Sequence, residues 1–302
     1  MARELGRLIT AMLTPFTADG AVDYESAEKL AALLVADGSD GVVVSGTTGE
    51  SPTLSDDEKI ELVKAIKRAI PGKTVIAGTG SNDTHHSVKL SDRAMSVGAD
   101  ALLAVVPYYN KPPQEGMYQH FKAISEVGPT IMYNIQGRTA INMTAATTLR
   151  CADLPGIVGV KEASGDLDQI GLVCAGKPVG FNVWSGDDSW TLPVMSAGGY
   201  GVICVVSHIA GRSMRKMIEA HVKGENDVAQ KIHVGLLPVI KTLMTTAANP
   251  VPLKSLLNAL GFPAGPFRLP LVPLTTEQLE AVMQTVHEAG ELITFKAGVK
   301  VA

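Results

Sequence analysis

Short apolar runs recur along the chain, each followed by a segment long enough for a helix. The eight runs lie at residues 8–13, 41–44, 74–77, 101–105, 130–133, 157–160, 181–184 and 201–206. Runs rich in Val and Ile are typical of strands buried on both faces, and their alternation with helical segments is typical of parallel βα units. Because eight such units close a barrel, the pattern predicts an α/β fold, the (β/α)8 TIM barrel.

Two of the predicted helices have clear start signals. Ser55 and Glu58 form a capping-box pattern ahead of apolar positions at helical spacing, and that helix should end near Pro71. Asp23 is placed to cap the preceding helix, which Gly38 would end.

The eight units are complete by about residue 225. The rest of the chain keeps helical periodicity, interrupted at residues 249–252 and in the Gly- and Pro-rich stretch 261–273. We therefore expect a catalytic barrel at residues 1–225 and a C-terminal helical region, an appendage packed on the barrel, at residues 226–302.

Composition agrees with a globular protein that has a large core. The chain has 302 residues, 46% of them hydrophobic, with 26 basic and 30 acidic residues and a net charge of -4. This balance offers no overall attraction for nucleic acid or for an anionic membrane surface, so neither is expected as a partner.

The remaining global signals predict a cytoplasmic protein. Cys151, Cys174 and Cys204 form no metal-binding or redox motif, so we expect free thiols in a reducing compartment. Residues 1–7 lack an apolar signal core, and no apolar stretch approaches the roughly 20 residues needed to span a bilayer.

Lys161 is the most informative residue, because it ends the apolar run at 157–160. A lysine at that position would keep its stem in the core and its amine at the carboxyl end of a barrel, where such folds carry their chemistry. A desolvated lysine amine can form a Schiff base with a carbonyl substrate. The alternative is a strand-terminal lysine that extends to solvent.

The second run leads into GTTGES at residues 46–51. Thr47 and Thr48 offer hydroxyl and backbone N–H groups that could hold a small carboxylate, and the glycines allow tight turns. A turn without a binding role is the alternative.

Tyrosines follow the fourth and fifth runs, at Tyr108, Tyr109 and Tyr133. A phenol both donates and accepts hydrogen bonds, so these residues could relay protons, although a lone tyrosine is more often a packing aromatic. Arg138 follows Tyr133 by five residues, and its planar guanidinium suits bidentate capture of a carboxylate if it is not merely a surface ion-pair partner.

Cofactor motifs are weak. His85 and His86 are adjacent, so on a helix they diverge and make poor joint metal ligands. Gly78 and Gly80 follow a strand without the third glycine of a dinucleotide fingerprint. We expect neither a metal nor an organic cofactor.

Several segments together carry a family resemblance. They are GTTGES at 46–51, PYYN at 107–110, YN at 133–134, Arg138, GVKEASG at 159–165, SGDD at 185–188 and NPVPLK at 249–254. In this order, over nearly the whole chain, they resemble the dihydrodipicolinate synthase (4-hydroxy-tetrahydrodipicolinate synthase) family. The resemblance implies a Schiff-base lyase that condenses pyruvate with L-aspartate semialdehyde in the diaminopimelate route to lysine.

The resemblance also implies roles for individual residues. Lys161 would attack the pyruvate ketone, and Tyr133 would shuttle protons with Thr47 and Tyr109. The tyrosine at Tyr109 or its neighbour would reach across a tight dimer interface within a homotetramer. The resemblance implies that Thr48 binds the pyruvate carboxylate and Arg138 the semialdehyde carboxylate. Gly186 and Ile203 match family positions that line the substrate pocket.

Two departures from the family pattern stand out. Gln136 takes a position where the family usually has proline, and we expect this change to loosen the loop that presents Arg138. Asp56, Lys59 and His86 lie where some members bind lysine as an inhibitor. Because His86 replaces a glutamate there, we expect lysine to inhibit weakly or not at all.

Two other functions compete with this hypothesis. One is an N-acetylneuraminate lyase or a 2-keto-3-deoxy-sugar-acid aldolase or dehydratase with the same fold and imine chemistry. Arg138 favours a short aldehyde that carries a carboxylate over these polyhydroxylated substrates. The other is a non-catalytic keto-acid sensor or scaffold, which the presence of every predicted catalytic residue disfavours.

Overall fold

Eight parallel strands close into a barrel in the computed structural model, which describes residues 4–295. The strands are β1 (Leu8–Ala11), β2 (Gly41–Val44), β3 (Thr74–Gly78), β4 (Ala101–Val105), β5 (Thr130–Asn134), β6 (Ile157–Glu162), β7 (Asn182–Ser185) and β8 (Gly201–Cys204). Each pairs with its sequence neighbours, and β8 pairs with β1. The predicted TIM barrel is confirmed.

Helices cover the outside of the barrel and continue beyond it. They are α1 (Tyr24–Ala36), α2 (Asp56–Ala69), α3 (Thr84–Ser96), α4 (Gln114–Ser125), α5 (Gln136–Thr139), α6 (Ala145–Ala152), α7 (Leu167–Gly176), α8 (Thr191–Ser196), α9 (Ser207–Lys223), α10 (Asn226–Thr245), α11 (Val251–Ala259) and α12 (Thr276–Glu288). Ser55 and Glu58 form the predicted capping box of α2, and the Asp23 side chain caps α1. These contacts satisfy backbone N–H groups that a helix start leaves unpaired.

The buried apolar side chains form two layers. Alternate strand residues, among them Ile9, Val43, Ile131 and Ile203, fill the barrel interior, whereas the intervening residues pack under the helices. Trp184 is fully buried in the interior, and its indole Nε1 donates to the carbonyl of Gly6 at 3.0 Å. The interior is therefore a packed core.

The helices that follow the eighth unit pack on the barrel and on one another. Helix α10 contacts α9 and α12, and α11 contacts α12. The predicted division of the chain at residue 225 stays a prediction. Residues 1–3 of the predicted barrel region and residues 296–302 of the predicted C-terminal region lie outside the described residues. Within residues 4–295, no helix combines the length and apolarity needed to cross a membrane.

Candidate active site

Lys161 lies at the carboxyl end of the barrel, in register with Tyr133 on one side and Trp184 on the other. In paired parallel strands, residues in register share a face, so the Lys161 side chain points into the interior with theirs. It is 6% exposed, and its Nζ lies 4.3 Å from the centroid of the Tyr133 ring. The amine is therefore held against an aromatic face at the floor of an open cavity.

Gly186 leaves space beside the Lys161 side chain. Its backbone N–H donates to the carbonyl of Glu162 at 2.8 Å, which brings the two strand ends together. A Cβ at position 186 would lie 3.1 Å from Lys161 Cγ and 2.8 Å from Ala163 Cβ. Any side chain there would crowd the lysine stem.

The loop after β2 carries Thr47 and Thr48 in a tight turn. The N–H of Glu50 donates to the Thr47 carbonyl at 3.1 Å, and Thr48 is 2% exposed. Thr48 Oγ1 accepts a hydrogen bond from Asn249 Nδ2 at 3.0 Å. Because the hydroxyl accepts this bond, its own hydrogen is free to donate to a carboxylate.

Arg138 lies on the short helix α5 above the mouth, where it is exposed to solvent. Its Nη2 donates to the backbone carbonyl of Asn249 at 3.3 Å. The expected loosening at Gln136 stays a prediction, and the structure adds a contact that opposes it: Gln136 Nε2 donates to the Ser164 carbonyl at 2.7 Å and links the loop to the segment after β6. Proline could not make this contact.

One cavity of about 640 Å³ brings most of the predicted residues together. Its lining includes Thr47, Thr48, Tyr133, Arg138, Lys161 and Gly186. A cavity of this size at the carboxyl end of a TIM barrel suits a small substrate.

Two predicted residues lie elsewhere. Ile203 is fully buried in the interior core and is not part of this cavity lining. Tyr109 is 89% exposed, with a positive φ of 73°, and is not part of this cavity lining either. The roles of both residues stay predictions.

The sequence analysis missed two buried carboxylates beside the lysine. Burial raises the pKa of the Asp188 carboxyl to about 6, although the backbone N–H groups of Val205 and Val206 oppose this shift. Burial also raises the pKa of the Glu162 carboxyl, against hydrogen bonds from Ser164 and Asn134. Both acids accept hydrogen bonds that fix them in place, so neither forms an ion pair with Lys161 within residues 4–295.

The C-terminal helical region supplies a further part of the lining that was missed. Met244, Ala248 and Asn249 come from α10 and the segment after it. Asn249 is 201 residues from its partner Thr48, so local spacing gives no sign of the contact. The motif NPVPLK carried the only signal.

A second cavity of about 590 Å³ adjoins the first and shares Thr47, Tyr133 and Arg138 with it. Its lining also includes Asp56, Lys59 and His86. His86 Nε2 lies 2.9 Å from an Asp56 carboxylate oxygen. Burial lowers the pKa of the Lys59 amine, and Asp56 opposes this shift.

Comparison with known proteins gives a consistent result over nearly the whole chain. The model of the dihydrodipicolinate synthetase family matches residues 4–289. The chain is 53% identical over 292 residues to the 4-hydroxy-tetrahydrodipicolinate synthase of Moorella thermoacetica, an alignment that covers 96% of this chain and 100% of that relative.

Solved structures agree in fold. The crystal structure of the enzyme from Cyanidioschyzon merolae with lysine bound has a TM-score of 0.92 at 44% identity and covers 95% of this chain and 98% of that one. A structure described as the first monomeric dihydrodipicolinate synthase variant has a TM-score of 0.91 at 40% identity, with coverage of 94% and 96%.

Proposed function

The chain belongs to the dihydrodipicolinate synthetase family, and we propose on this premise that it condenses pyruvate with L-aspartate semialdehyde through an imine on Lys161. The reaction is that of a lyase in lysine and diaminopimelate biosynthesis, and its product is 4-hydroxy-tetrahydrodipicolinate. The single observation that supports the role of Lys161 is its position. Its amine lies at the base of the cavity, against Tyr133, without an acidic partner among residues 4–295.

Imine formation comes first. Lys161 Nζ attacks the ketone carbon of pyruvate, and the resulting carbinolamine loses water to give the imine. The imine draws electrons from C3, so a C3 proton can leave and an enamine forms. This electron sink is why the proposal needs neither a metal nor an organic cofactor.

Carbon–carbon bond formation follows. The enamine carbon attacks the aldehyde of the second substrate, and the new alkoxide takes up a proton. The amino group of the semialdehyde then attacks the imine carbon and displaces Lys161, which closes the ring and frees the enzyme. The only molecule released besides the product is the water lost when the imine formed.

Proton transfer is assigned to Tyr133, with Thr47 and Tyr109 completing the relay. Tyr133 takes the first position in this relay, because its ring lies 4.3 Å from the lysine amine. Tyr109 is 89% exposed within a single chain, so it can take part only if a second copy brings its own Tyr109 to this cavity. We therefore include a homotetramer built from tight dimers in the proposal.

Selection of the two substrates is assigned to groups that bind carboxylates. In the proposal, Thr48 donates its hydroxyl hydrogen to the pyruvate carboxylate, and the Arg138 guanidinium at the rim binds the semialdehyde carboxylate. The contact of each with Asn249 supports this assignment. The two groups meet at Asn249. This arrangement favours two short acids over a polyhydroxylated sugar acid. The three cysteines are free thiols, as is typical of a reducing compartment, and this supports a cytoplasmic location.

The experiment is an activity assay with purified protein and a choice of substrates. We expect turnover with pyruvate plus L-aspartate semialdehyde, and no cleavage of N-acetylneuraminate or 2-keto-3-deoxygluconate under the same conditions. A Lys161→Ala variant serves as the blank. Cleavage of either sugar acid at a rate equal to the condensation would contradict the proposal, as would the absence of turnover with any of them.

A further inference from the structure

A buried ion pair joins the C-terminal helical region to the loop after β2. Lys254 Nζ, on α11, lies 2.6 Å from Glu50 Oε1, and the two side chains are 0% and 1% exposed. Removing two charges from water costs about as much as their attraction returns, so a pair of this kind is weak support for stability as such. Neither residue lines the cavity that holds Lys161. The pair therefore calls for a role other than direct chemistry.

Both charges are fixed by further partners. Lys254 Nζ also donates to the Thr14 carbonyl at 3.1 Å and lies 4.0 Å from the centroid of the Phe16 ring. Glu50 Oε2 accepts from the backbone N–H of Arg268 at 3.2 Å. With each group held by more than one contact, neither side chain can swing away from the other.

Glu50 belongs to the same turn as Thr47 and Thr48. Its backbone is left-handed, with a φ of 55°, and its N–H donates to the Thr47 carbonyl at 3.1 Å. A left-handed conformation is unfavourable for a residue with a side chain, so it persists where its surroundings hold it. The ion pair holds the side chain of that strained residue.

The same C-terminal region contacts the turn at a second point. Asn249 Nδ2 donates to Thr48 Oγ1 at 3.0 Å, five residues before Lys254 in the chain. Thr14 links the turn to Lys254. Its hydroxyl donates to the Gly49 carbonyl at 2.7 Å, and its own carbonyl accepts from Lys254 Nζ. The turn is thus fixed on both sides of Gly49.

We propose that Lys254 is a positioning residue for the keto-acid site: its ion pair with Glu50 holds the turn so that Thr47 and Thr48 face the substrate. The inference rests on the proposed function, since it assumes that pyruvate forms an imine with Lys161. Lys254 acts through Glu50 and touches no substrate. Its loss should therefore weaken pyruvate binding more than it slows the chemical step.

The test measures how the borohydride-trapped pyruvyl adduct on Lys161 depends on pyruvate concentration. The main variant is the double change Glu50→Gln with Lys254→Met, which removes both charges and leaves no unpaired charge buried. Glu50→Gln alone is the second variant, because it keeps the shape and the acceptor for Lys254. We expect the half-saturating pyruvate concentration to rise about tenfold or more in the double variant, with the turnover at saturating substrates falling less than about threefold.

The control is Arg215→Met, which breaks an ion pair with Asp40. Asp40 directly precedes β2, whereas Glu50 lies in the loop after β2. It should leave the half-saturating pyruvate concentration unchanged. If the double variant does not fold, the single Glu50→Gln variant decides, and we expect a rise of about threefold.

The possible failures are distinguishable. If the wild-type protein gives no adduct on Lys161, the proposed function is wrong. If the wild-type protein gives the adduct and a folded variant saturates at the same pyruvate concentration, the positioning role of Lys254 is wrong while the proposed function stands. If the Arg215→Met control loses as much turnover and pyruvate affinity as the double variant does, the effect is one of general destabilisation, and the proposal is overturned.

Discussion

The two ends of the barrel use charged side chains in opposite ways. At the amino end, the Asp40 carboxylate accepts from the backbone N–H groups of Arg7 at 2.8 Å and Leu8 at 3.0 Å and pairs with Arg215. At the carboxyl end, Lys161 and Arg138 form no ion pair with any acidic side chain among residues 4–295.

The contrast indicates which charged side chains are available to bind a substrate. A charge whose partners all come from the chain contributes to the fold and has little left to offer a ligand. A basic side chain held in a cavity without an acidic partner is free to react as a neutral amine or, as a cation, to bind an anion. The buried pair of Lys254 and Glu50 is an instructive case, because it lies at the carboxyl end but is fully partnered.

The largest effect should come from removing the reactive amine. Lys161→Met abolishes imine formation, so we expect turnover to fall by about 10⁴-fold or more. The thermal midpoint should change little, because the Lys161 amine forms no ion pair with an acidic side chain among residues 4–295. Steady-state kinetics and a thermal melt of the same preparation check this. Lys161→Arg is the matched control, since it keeps the charge but should be equally inactive.

The next effect should be on the second substrate. Arg138→Met removes the guanidinium at the rim, and the loss of a charge-assisted hydrogen bond should raise KM for the semialdehyde about 10- to 100-fold. The pyruvate KM should change less than about threefold, because Thr48 binds that carboxylate. A larger rise for pyruvate than for the semialdehyde would reverse the assignment of the two carboxylate sites.

At the amino end, the same kind of change should affect stability alone. Arg215→Met leaves Asp40 without its cationic partner, and because both side chains are 27% exposed we expect a loss of about 1–3 kcal/mol in the free energy of unfolding. Denaturant unfolding measures the loss, and kcat/KM should stay within about twofold of the wild type. A drop in kcat/KM without a loss of stability would break the distinction between the two ends.

A buried histidine near the carboxyl end should make stability depend on pH. Burial lowers the pKa of His208 to about 4, and its Nε2 accepts from the N–H of Leu13 at 3.2 Å. The unfolded state has the higher pKa, near 6.5, so it binds the proton first as the pH falls. Stability contributed by neutral His208 is present above about pH 6.5 and is lost as the pH falls toward 4.

The matched variant is His208→Gln, which keeps an acceptor for the Leu13 N–H but cannot be protonated. We expect the loss of stability between pH 6.5 and 4 to be about 1–2 kcal/mol smaller in this variant than in the wild type. Denaturant unfolding at both pH values measures it. Identical pH dependence in the two proteins would show that His208 is not the group responsible.

The smallest effect concerns the cavity that adjoins the site. His86 Nε2 lies 2.9 Å from an Asp56 carboxylate oxygen there, so Asp56 already has a partner from the chain, as Asp40 does at the amino end. We expect L-lysine at millimolar concentration to slow the reaction less than about twofold, because the Asp56 carboxylate is already paired with His86 and a histidine stands at position 86 in place of a carboxylate for the amine of the effector. His86→Glu should increase the inhibition. Strong inhibition of the wild-type protein would contradict the prediction.

The fold was largely predictable because its signals are local and repeated. Each strand found lies within or next to a predicted apolar run, and the differences are at the ends: β1 stops at Ala11, whereas β6 continues to Glu162. Glu162 was invisible as a strand residue because an acid breaks the apolar pattern. Its side chain is buried through hydrogen bonds to Asn134 and Ser164 that the sequence pattern does not reveal.

The site was predictable where motifs end strands and unpredictable where distant segments meet. Lys161, Tyr133 and the turn at Thr47 follow directly from strand ends. The contact from Lys254 to Glu50 joins residues 204 positions apart, so no periodicity or spacing indicates it. Tyr109 is the reverse case. The motif PYYN predicted it as a site residue, but in the single chain its side chain is 89% exposed.

The most direct test of the account is covalent trapping of the imine. The folded protein is treated with pyruvate and borohydride, digested, and analysed by peptide mass spectrometry. We expect one reduced pyruvyl adduct, on Lys161, and none on Lys254, which is also buried but is ion-paired and lies outside the cavity lining. An adduct on another lysine, or no adduct on folded protein, would contradict the central claim that an unpartnered lysine at the carboxyl end of the barrel carries the chemistry.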